Sequence, residues 1–377
     1  MGEARIREVR TRADRRAYFA LIRAPYVGNP YWVPPDLRIL RSLLRRRGLL
    51  AARSRWRALL AEEEGKPVAC LTAFLHESFE EKFGKKIGTI GFLEALPDHP
   101  LAVDALFHAA ERWLRSLGAA RVWGPINGHR LYGFGCLENR HSERPLVGTA
   151  YNPPEYPGHW WRRGFQLAPR FYSYRIDLAS VQTRDAIARA AANPLLLNGP
   201  PVTLRAADPG AWRREVEILA DLHNAAFAHH WGDTPLSPAE AWELMAPARR
   251  AVDPRLFHVA ESAGRAVGLA LGVPDLNEAL GRARAEPASL RGALALRRFG
   301  RRIRRGGLLM LAVLEAFRGR GLAQTLAARV MAGMTARGMT EMEYCLVPEN
   351  AVAAQRIARR FGGEQTKTYL TFEKILG

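Results

Sequence analysis

Val313-Leu314-Glu315-Ala316-Phe317-Arg318-Gly319-Arg320-Gly321-Leu322-Ala323 is the stretch of sequence that decides the fold of the second half of this chain. Its first two residues end Leu308 to Leu314, an apolar run typical of a buried strand. Its last residues begin a helical pattern that ends at Gly338. The glycines at 319 and 321 allow a tight turn in which backbone N–H groups approach a ligand closely, and the helix N-terminus adds roughly half a positive charge. The stretch therefore predicts a cradle for a pyrophosphate group.

A Gly-x-Gly turn between a strand and a helix also occurs in dinucleotide-binding folds. Such a site would need a third glycine, and an acidic residue about twenty positions further on to bind the ribose. Here Gln324 or Thr325 stands at the third position, and the nearest acids, Glu341 and Glu343, follow a complete helix. The dinucleotide interpretation is therefore the weaker one.

Arg318-x-x-Gly321-x-Ala323, preceded by Val313 at a strand end, resembles the coenzyme A motif of GNAT acyltransferases. Pro348-Glu349-Asn350 before a helix resembles the segment after that family's fifth strand. The resemblance implies acetyl-CoA or another acyl-CoA as co-substrate, with its pantetheine arm between two strands that splay apart. The cofactor contacts that it implies come from Leu311, Val313, Leu314, Arg318, Gly319, Arg320, Gly321, Leu322, Ala323 and Asn350.

The chain as a whole reads as two halves separated by the turn-rich segment from Pro194 to Pro201. Each half places one long amphipathic helix between two strands and then ends on a strand, predicted at Phe171 to Leu178 in the first half and at Thr366 to Phe372 in the second. We therefore expect an α/β fold with two GNAT-like domains, residues 1–195 and 201–377, each a mixed, mostly antiparallel sheet flanked by helices.

The first half has no glycine cradle. At the corresponding place it reads Glu94-Ala95-Leu96-Pro97-Asp98-His99-Pro100, in which two prolines remove backbone donors and two acids would repel phosphates. We expect this half to be a degenerate copy that does not bind coenzyme A in the same way.

Acyl transfer to an amine needs a base for the amine and a proton donor for the leaving thiolate. Glu315, at the end of the strand before the cradle, is the candidate base. The tyrosine that often serves as the acid in GNAT enzymes is replaced by Ile357, so Tyr344 and Tyr369 on adjacent strands are the candidates for that role. Each of these residues also has an ordinary structural interpretation, as a solvated turn acid or a packed strand tyrosine.

Three further features of the sequence bear on the site. Asp275 and Asn277 break a strand and are predicted either to line an acceptor pocket or to form a plain turn. Cys345 is interpreted as a buried structural thiol rather than a nucleophile. The three cysteines are too far apart for a metal site, so no metal is expected.

The formal net charge of +19 favours acidic partners. The segment from Arg297 to Arg305 is the densest basic run, and it forms either a solvated loop or helix surface or a contact surface for an acidic partner. Most other arginines are scattered, and binding of nucleic acid is unlikely. No apolar run is long enough to span a membrane and the N-terminus lacks an apolar signal core, so a cytoplasmic location is expected.

The leading hypothesis from the sequence is an N-acyltransferase, most simply an acetyltransferase, that modifies an amine of a small molecule or metabolite. Two alternatives stay open. One is a transferase that takes its acyl group from acyl carrier protein or aminoacyl-tRNA. The other is a sensor that binds acyl-CoA without turnover, which the missing tyrosine at Ile357 suggests.

Overall fold

The computed structural model describes residues 4–192, 200–250 and 252–376. By its internal contacts the chain divides into two compact units. The first unit comprises the residues up to Arg170, Leu280–Leu294 and the residues from Thr368 onward, and the second comprises Phe171–Ala279 and Ala295–Lys367. Residues 193–199, which hold most of the predicted boundary, lie outside the described residues.

The first unit is built on a seven-stranded sheet in the order β1-β2-β3-β4-β5-β15-β7. Its strands are β1 (Arg5–Glu8), β2 (Ser54–Glu63), β3 (Lys66–His76), β4 (Ile87–Ala95), β5 (Arg121–Gly124), β7 (Gln166–Leu167) and β15 (Phe372–Ile375), and β6 (Cys136–Leu137) lies outside this sheet. Its helices are α1 (Arg12–Leu21), α2 (Arg38–Leu44), α3 (Leu49–Ala52), α4 (Glu77–Phe83), α5 (Pro100–Ser116) and α6 (Tyr156–Arg162).

The long helix α5 covers one face of this first sheet. Its buried residues recur at helical spacing, with Val103, Leu106, Phe107 and Leu114 all fully buried. Pro100 occupies the first helical turn, where a missing N–H costs nothing, and Gly118 follows the helix with a φ of +81°. The prediction of one long amphipathic helix in the first half is confirmed.

The second sheet is mixed and has eight strands, in the order β6-β14-β8-β13-β12-β11-β10-β9. Besides β6, its strands are β8 (Phe171–Asp177), β9 (Thr203–Ala206), β10 (Phe257–Ser262), β11 (Arg265–Pro274), β12 (Arg305–Val313), β13 (Glu341–Pro348) and β14 (Glu364–Leu370). The helices after β8 are α7 (Val181–Ala191), α8 (Trp212–Ala226), α9 (Pro238–Met245), α10 (Leu276–Ala283), α11 (Leu290–Phe299), α12 (Leu322–Ala336) and α13 (Val352–Arg360).

Helices cover both faces of this second sheet. α12 and α7 pack in a core that includes Leu326, Val330 and Met342, while α8 and α9 pack on Phe257 and Leu269 on the opposite face. The predicted class, an α/β fold of mixed sheets flanked by helices, is confirmed in both units.

Two strands, β8 and β15, lie in a different unit from the one that the sequence predicted. β8 was predicted to complete the first half, but it pairs with β13 in the second unit. The predicted strand from Thr366 to Phe372 is interrupted at Thr371, and its continuation β15 pairs with β5 and β7 in the first unit. The compact units therefore differ from the expected ranges 1–195 and 201–377, because an alternating pattern predicts a strand but not the partner with which it pairs.

Candidate active site

The strands β12 and β13 are paired at one end and part at the other. Their parallel register joins Arg305–Leu308 to Glu341–Tyr344 and, within the described residues, goes no further. β12 carries a bulge at the point of divergence, because Leu271 faces Met310 while Gly272 faces Leu308, which leaves Leu309 as the extra residue. This divergence produces a gap beside the second half of β12, as the GNAT resemblance implied.

The backbone of β12 presents hydrogen-bonding groups to this gap. Leu314 donates its N–H to the Val267 carbonyl on β11, at 2.9 Å. Backbone groups alternate between the two edges of an antiparallel strand, so Ala312 also faces β11, and Leu311 and Val313 face the gap. An extended ligand arm lying in the gap would find N–H and C=O partners on Leu311 and Val313, in the manner of an added strand.

The glycine turn lies between this edge and the start of α12. Gly319 has a φ of +79° and Gly321 a φ of +76°, a region that favours glycine. α12 begins at Leu322 without a side-chain cap, so the N–H groups of its first turn have no acceptor within the helix. A side chain added at Gly319 would meet no atom within 4 Å, so the turn is open. These features fit a bound pyrophosphate.

Arginine side chains surround the turn and give it a positive charge. Arg318 donates through Nε to the Val313 carbonyl at 3.3 Å, and Arg320 donates to the Pro200 carbonyl at 3.0 Å. Arg360 on α13 donates to Oε1 of Gln324 in the first turn of α12 at 2.7 Å. Arg360 was not predicted, because its position here depends on the packing of α13 and not on a motif.

Asn350 lies in the turn between β13 and α13. Its side chain is exposed, and its carbonyl accepts from Val352 N at 3.0 Å. Gln355 stabilises the same turn by donating to the carbonyls of Pro348 and Glu349, at 3.3 and 2.7 Å. The predicted order of strand, turn and helix around Asn350 is therefore present.

The three candidate catalytic residues lie in different environments. Glu315 is exposed in a short 3-10 turn, Glu315–Phe317, directly between the open edge of β12 and the glycine turn. Tyr344 is buried in the core of the second unit, and burial raises its pKa. Tyr369 is fully buried in the first unit, where it pairs with Leu137 of β6. Of the three, Glu315 alone is exposed beside the predicted cofactor contacts.

Cys345 is a buried thiol. Its Sγ lies 3.7 Å from the Leu308 carbonyl, and burial raises its pKa, so the thiolate is disfavoured. This geometry agrees with the structural interpretation of the residue.

Asp275 has a structural partner rather than an open pocket. Its side chain is inaccessible, and Oδ2 accepts from Nε and Nη2 of Arg305 at 2.9 and 2.5 Å. Oδ1 accepts the N–H of Asn277 at 3.2 Å. Asp275 therefore forms a buried ion pair that ties the end of β11 to the start of β12, and an acceptor-pocket role of Asp275 and Asn277 stays a prediction.

Arg305 belongs to a larger buried charge cluster. It lies 3.7 Å from Glu343 on β13, and Glu343 accepts from Lys367 on β14 at 2.8 Å. The sequence did not reveal this cluster, because its members are far apart along the chain. It also removes Arg305 from the basic run that began at Arg297. The exposed arginines Arg297, Arg298, Arg301 and Arg302 remain a predicted surface for an acidic partner.

In the first unit the equivalent edge belongs to β4, and the chain segment that follows β5 binds it. β4 and β5 also pair only at one end, over Ile87–Thr89 and Arg121–Trp123. Beyond that point Ile126 donates to the Ile90 carbonyl, and Asn127 Oδ1 accepts the N–H of Phe92 at 2.8 Å. The chain segment after β5 therefore occupies the backbone groups that are available in β12.

An open strand edge, a glycine turn and an uncapped helix N-terminus lie together here, in the arrangement that the GNAT resemblance implied. Residues 216–362 match the model of the acetyltransferase (GNAT) family. The chain therefore contains a GNAT acyltransferase domain, and it is an N-acyltransferase enzyme.

Two relatives match almost the whole chain. Protein YghO of Escherichia coli is 24% identical over 98% of this chain and 95% of its own length. The bacterial ceramide synthase of Caulobacter vibrioides is 27% identical over 98% of this chain and 96% of its own length. Among solved structures, a tandem GNAT protein from the clavulanic acid biosynthesis pathway has a TM-score of 0.57 at 13% identity and covers 100% of this chain and 99% of its own, which shows the shared fold.

Among the helices that the structure describes, none is long and apolar enough to cross a membrane.

Proposed function

We propose that this protein transfers an acyl group from acetyl-CoA or another acyl-CoA to an amine of a small molecule. The observation that carries this proposal is the continuity of the open β12 edge with the glycine turn at Gly319 and Gly321, which together suit a pantetheine arm and its pyrophosphate. In such a reaction an amide bond forms as the C–S bond breaks, while the amine loses a proton and the leaving sulfur gains one.

The proposed cofactor contacts follow from the same two elements. Leu311, Val313 and Leu314 would hold the extended arm by their backbone. The pyrophosphate would be held by the backbone and side chains of the turn and helix start, namely Arg318, Gly319, Arg320, Gly321, Leu322 and Ala323. Asn350 would contribute from the far side of the gap.

The proposed base is Glu315. Its exposure at the end of β12 leaves its carboxylate accessible to an amine or to a relaying water. Tyr344 and Tyr369 stay the proposed proton donors from the sequence, but their burial is better suited to packing than to proton transfer. The leaving sulfur can also take its proton from solvent.

The relatives suggest which acceptor to test first. A ceramide is the N-acyl derivative of a long-chain amino alcohol, and a protein named ceramide synthase matches this chain almost end to end. A long-chain amino alcohol, with a fatty acyl-CoA as donor, is therefore the first acceptor class to test for this protein. A short-chain metabolite amine with acetyl-CoA is the second.

The experiment measures thiol release from acetyl-CoA and from palmitoyl-CoA, each with a long-chain amino alcohol and with a short amine, and identifies the amide by mass spectrometry. We expect amine-dependent thiol release in at least one combination, and its loss in Glu315→Gln. If acyl-CoA binds but no combination releases thiol, the protein is a non-catalytic acyl-CoA binder. Turnover only with acyl carrier protein would replace acyl-CoA as the donor.

A further inference from the structure

A groove on the first unit is lined by arginine and aromatic side chains and shares no residue with the candidate active site. It comprises a cavity of about 1030 Å³ and an adjoining one of about 500 Å³, which share Arg46, Arg47 and Trp56. We call it the arginine groove, and define it by the arginines that line it: Arg10, Arg12, Arg15, Arg16, Arg41, Arg45, Arg46, Arg47 and Arg55.

The charge of the arginine groove is largely unneutralised. Glu8 pairs with Arg10 at 2.9 Å and lies 4.0 Å from Arg46, and Glu286 pairs with Arg41. Within the part of the chain that the structure describes, the exposed side chains of Arg12, Arg16, Arg45 and Arg47 have no acidic partner. Several like charges held together without counter-charges are unfavourable unless an anionic ligand binds them.

The aromatic rings of this region are already covered by guanidinium groups. Arg41 lies over the ring of Phe19 at 5.8 Å, and Arg46 lies over Trp56 at 5.3 Å. Proteins that bind single-stranded nucleic acid present bare aromatic faces on which bases stack, and these two faces are not available for stacking. The rings instead hold the guanidinium groups of Arg41 and Arg46 in place by cation–π contacts.

The extent of the arginine groove exceeds what one small anion requires. A compound with a few phosphate charges would neutralise only part of the lining, whereas a surface of repeated phosphodiesters can neutralise all of it. Arginine binds phosphate oxygens through two parallel N–H donors, and individual headgroups are small enough to enter a concave surface. The charge pattern is therefore complementary to an anionic lipid surface.

We propose that the arginine groove docks the first unit on the headgroups of anionic phospholipids. This function goes beyond acyl transfer and does not depend on the acceptor, although it would deliver the enzyme to an amine that resides in a membrane. Polybasic surfaces bind anionic bilayers with an affinity that rises about fivefold for each arginine close to the surface, and the attraction falls with salt.

The test is co-sedimentation of the full chain with vesicles of phosphatidylcholine alone and of phosphatidylcholine with phosphatidylglycerol, at roughly 0.1 M salt. We expect binding to the anionic vesicles only. The groove variant changes Arg12, Arg16, Arg45 and Arg47 to Gln, and should weaken this binding at least tenfold. The matched control removes the same charge from exposed arginines of the second unit by changing Arg184, Arg214, Arg265 and Arg329 to Gln, and should bind nearly as the wild type does.

Three results would overturn the proposal. The first is no sedimentation of the wild type with anionic vesicles. The second is an equal loss in the groove and control variants, which would reflect net charge alone. The third is that the wild type binds immobilised RNA or acyl carrier protein but not vesicles, and that the groove variant loses this binding. Such a result would assign the groove to a different partner. Urea unfolding of both variants checks that they are folded, and vesicle binding needs neither coenzyme A nor acyl transfer, so failure of either proposal is recognised separately.

Discussion

Asp275 shows how a polar residue at a strand end can have two interpretations. From the sequence, a polar pair that breaks a strand is as compatible with a substrate pocket as with a turn. In the structure the carboxylate of Asp275 is inaccessible and binds Arg305, which in turn lies near Glu343. The decisive partners are 30 and 68 positions away in the chain, and no local pattern could have indicated them.

Replacing Asp275 by Ala should lower stability rather than act on the acceptor. The change leaves the buried Arg305 without the carboxylate that binds its Nε and Nη2, and breaking a buried ion pair costs about 3 kcal/mol. Urea unfolding followed by circular dichroism measures the loss. The control is Asp36→Ala, which removes an exposed partner of Arg38 and should cost less than about 1 kcal/mol. Equal stability of the Asp275 and Asp36 variants would contradict the structural role.

Glu94 is a second residue whose chemistry depends on distant partners. Its carboxylate accepts from the hydroxyls of Tyr26 at 3.0 Å and of Tyr156 at 2.9 Å. Burial raises the pKa of Glu94 from 4.5 to about 8, although both hydrogen bonds act to lower it. The sequence indicated Glu94 only as an acid that would repel phosphate, because nothing in the local pattern shows that two tyrosines enclose it.

The raised pKa of Glu94 predicts a pH dependence of stability. Because the folded pKa lies above the unfolded one, the folded chain holds an extra proton between pH 4.5 and about 8. This contribution to stability is fully present below pH 4.5 and is lost as the pH rises through about 8, at no more than about 1.4 kcal/mol per pH unit. Urea unfolding between pH 6 and 9 should show a smaller slope for Glu94→Gln than for the wild type, and an unchanged slope would refute this prediction.

At the scale of elements, the local patterns predicted most helices and strands. α12 begins directly after the glycine turn, as the motif predicted, and α5 is the long amphipathic helix expected in the first half. The same patterns could not predict that β8 lies in the second unit or that β15 lies in the first, since sheet pairing depends on non-local contacts. The bulge at Leu309 was also not predicted, because an inserted residue leaves the apolar run of β12 unchanged.

The position of β15 in the first unit can be tested at Phe372. Its ring is fully buried and stacks on Trp160, with centroids 5.4 Å apart. Phe372→Ala should therefore destabilise the first unit by about 3 to 5 kcal/mol, as other large-to-small core changes do. Ile375→Ala, in the same strand but 71% exposed, is the control and should change stability by less than about 0.5 kcal/mol.

The comparison of Phe372→Ala with Ile375→Ala in urea unfolding decides whether β15 contributes to a core. Under native conditions both variants should retain coenzyme A binding, because the glycine turn and β12 belong to the second unit. If the two variants have the same stability, the pairing of β15 with β5 is not the one described here.

At the scale of the whole molecule, the two units have related architectures but differ at one strand edge, that of β12 in the second unit and of β4 in the first. In the second unit that edge is open and leads to the glycine turn, whereas in the first unit Asn127 occupies the corresponding N–H group. The absence of glycines between Glu94 and Pro100 predicted that the first half has no glycine turn, but it did not predict that Asn127 binds the strand edge. The sequence did not show the arginine groove, because it combines residues of α1, the segment after α2 and β2.

The most direct test of the account is calorimetric titration with acetyl-CoA and with palmitoyl-CoA. The proteins are the wild type, Gly319→Glu, which places a negative side chain in the open turn, and Gly264→Glu. Gly264 is the matched control, because it has a φ of +74° and, like Gly319, no atom within 4 Å of an added side chain. We predict that at least one of the two thioesters binds the wild type and Gly264→Glu, and that it binds Gly319→Glu at least tenfold more weakly. Equal affinity of the two variants, or no binding of either thioester to the wild type, would contradict the assignment of the glycine turn as the coenzyme A site.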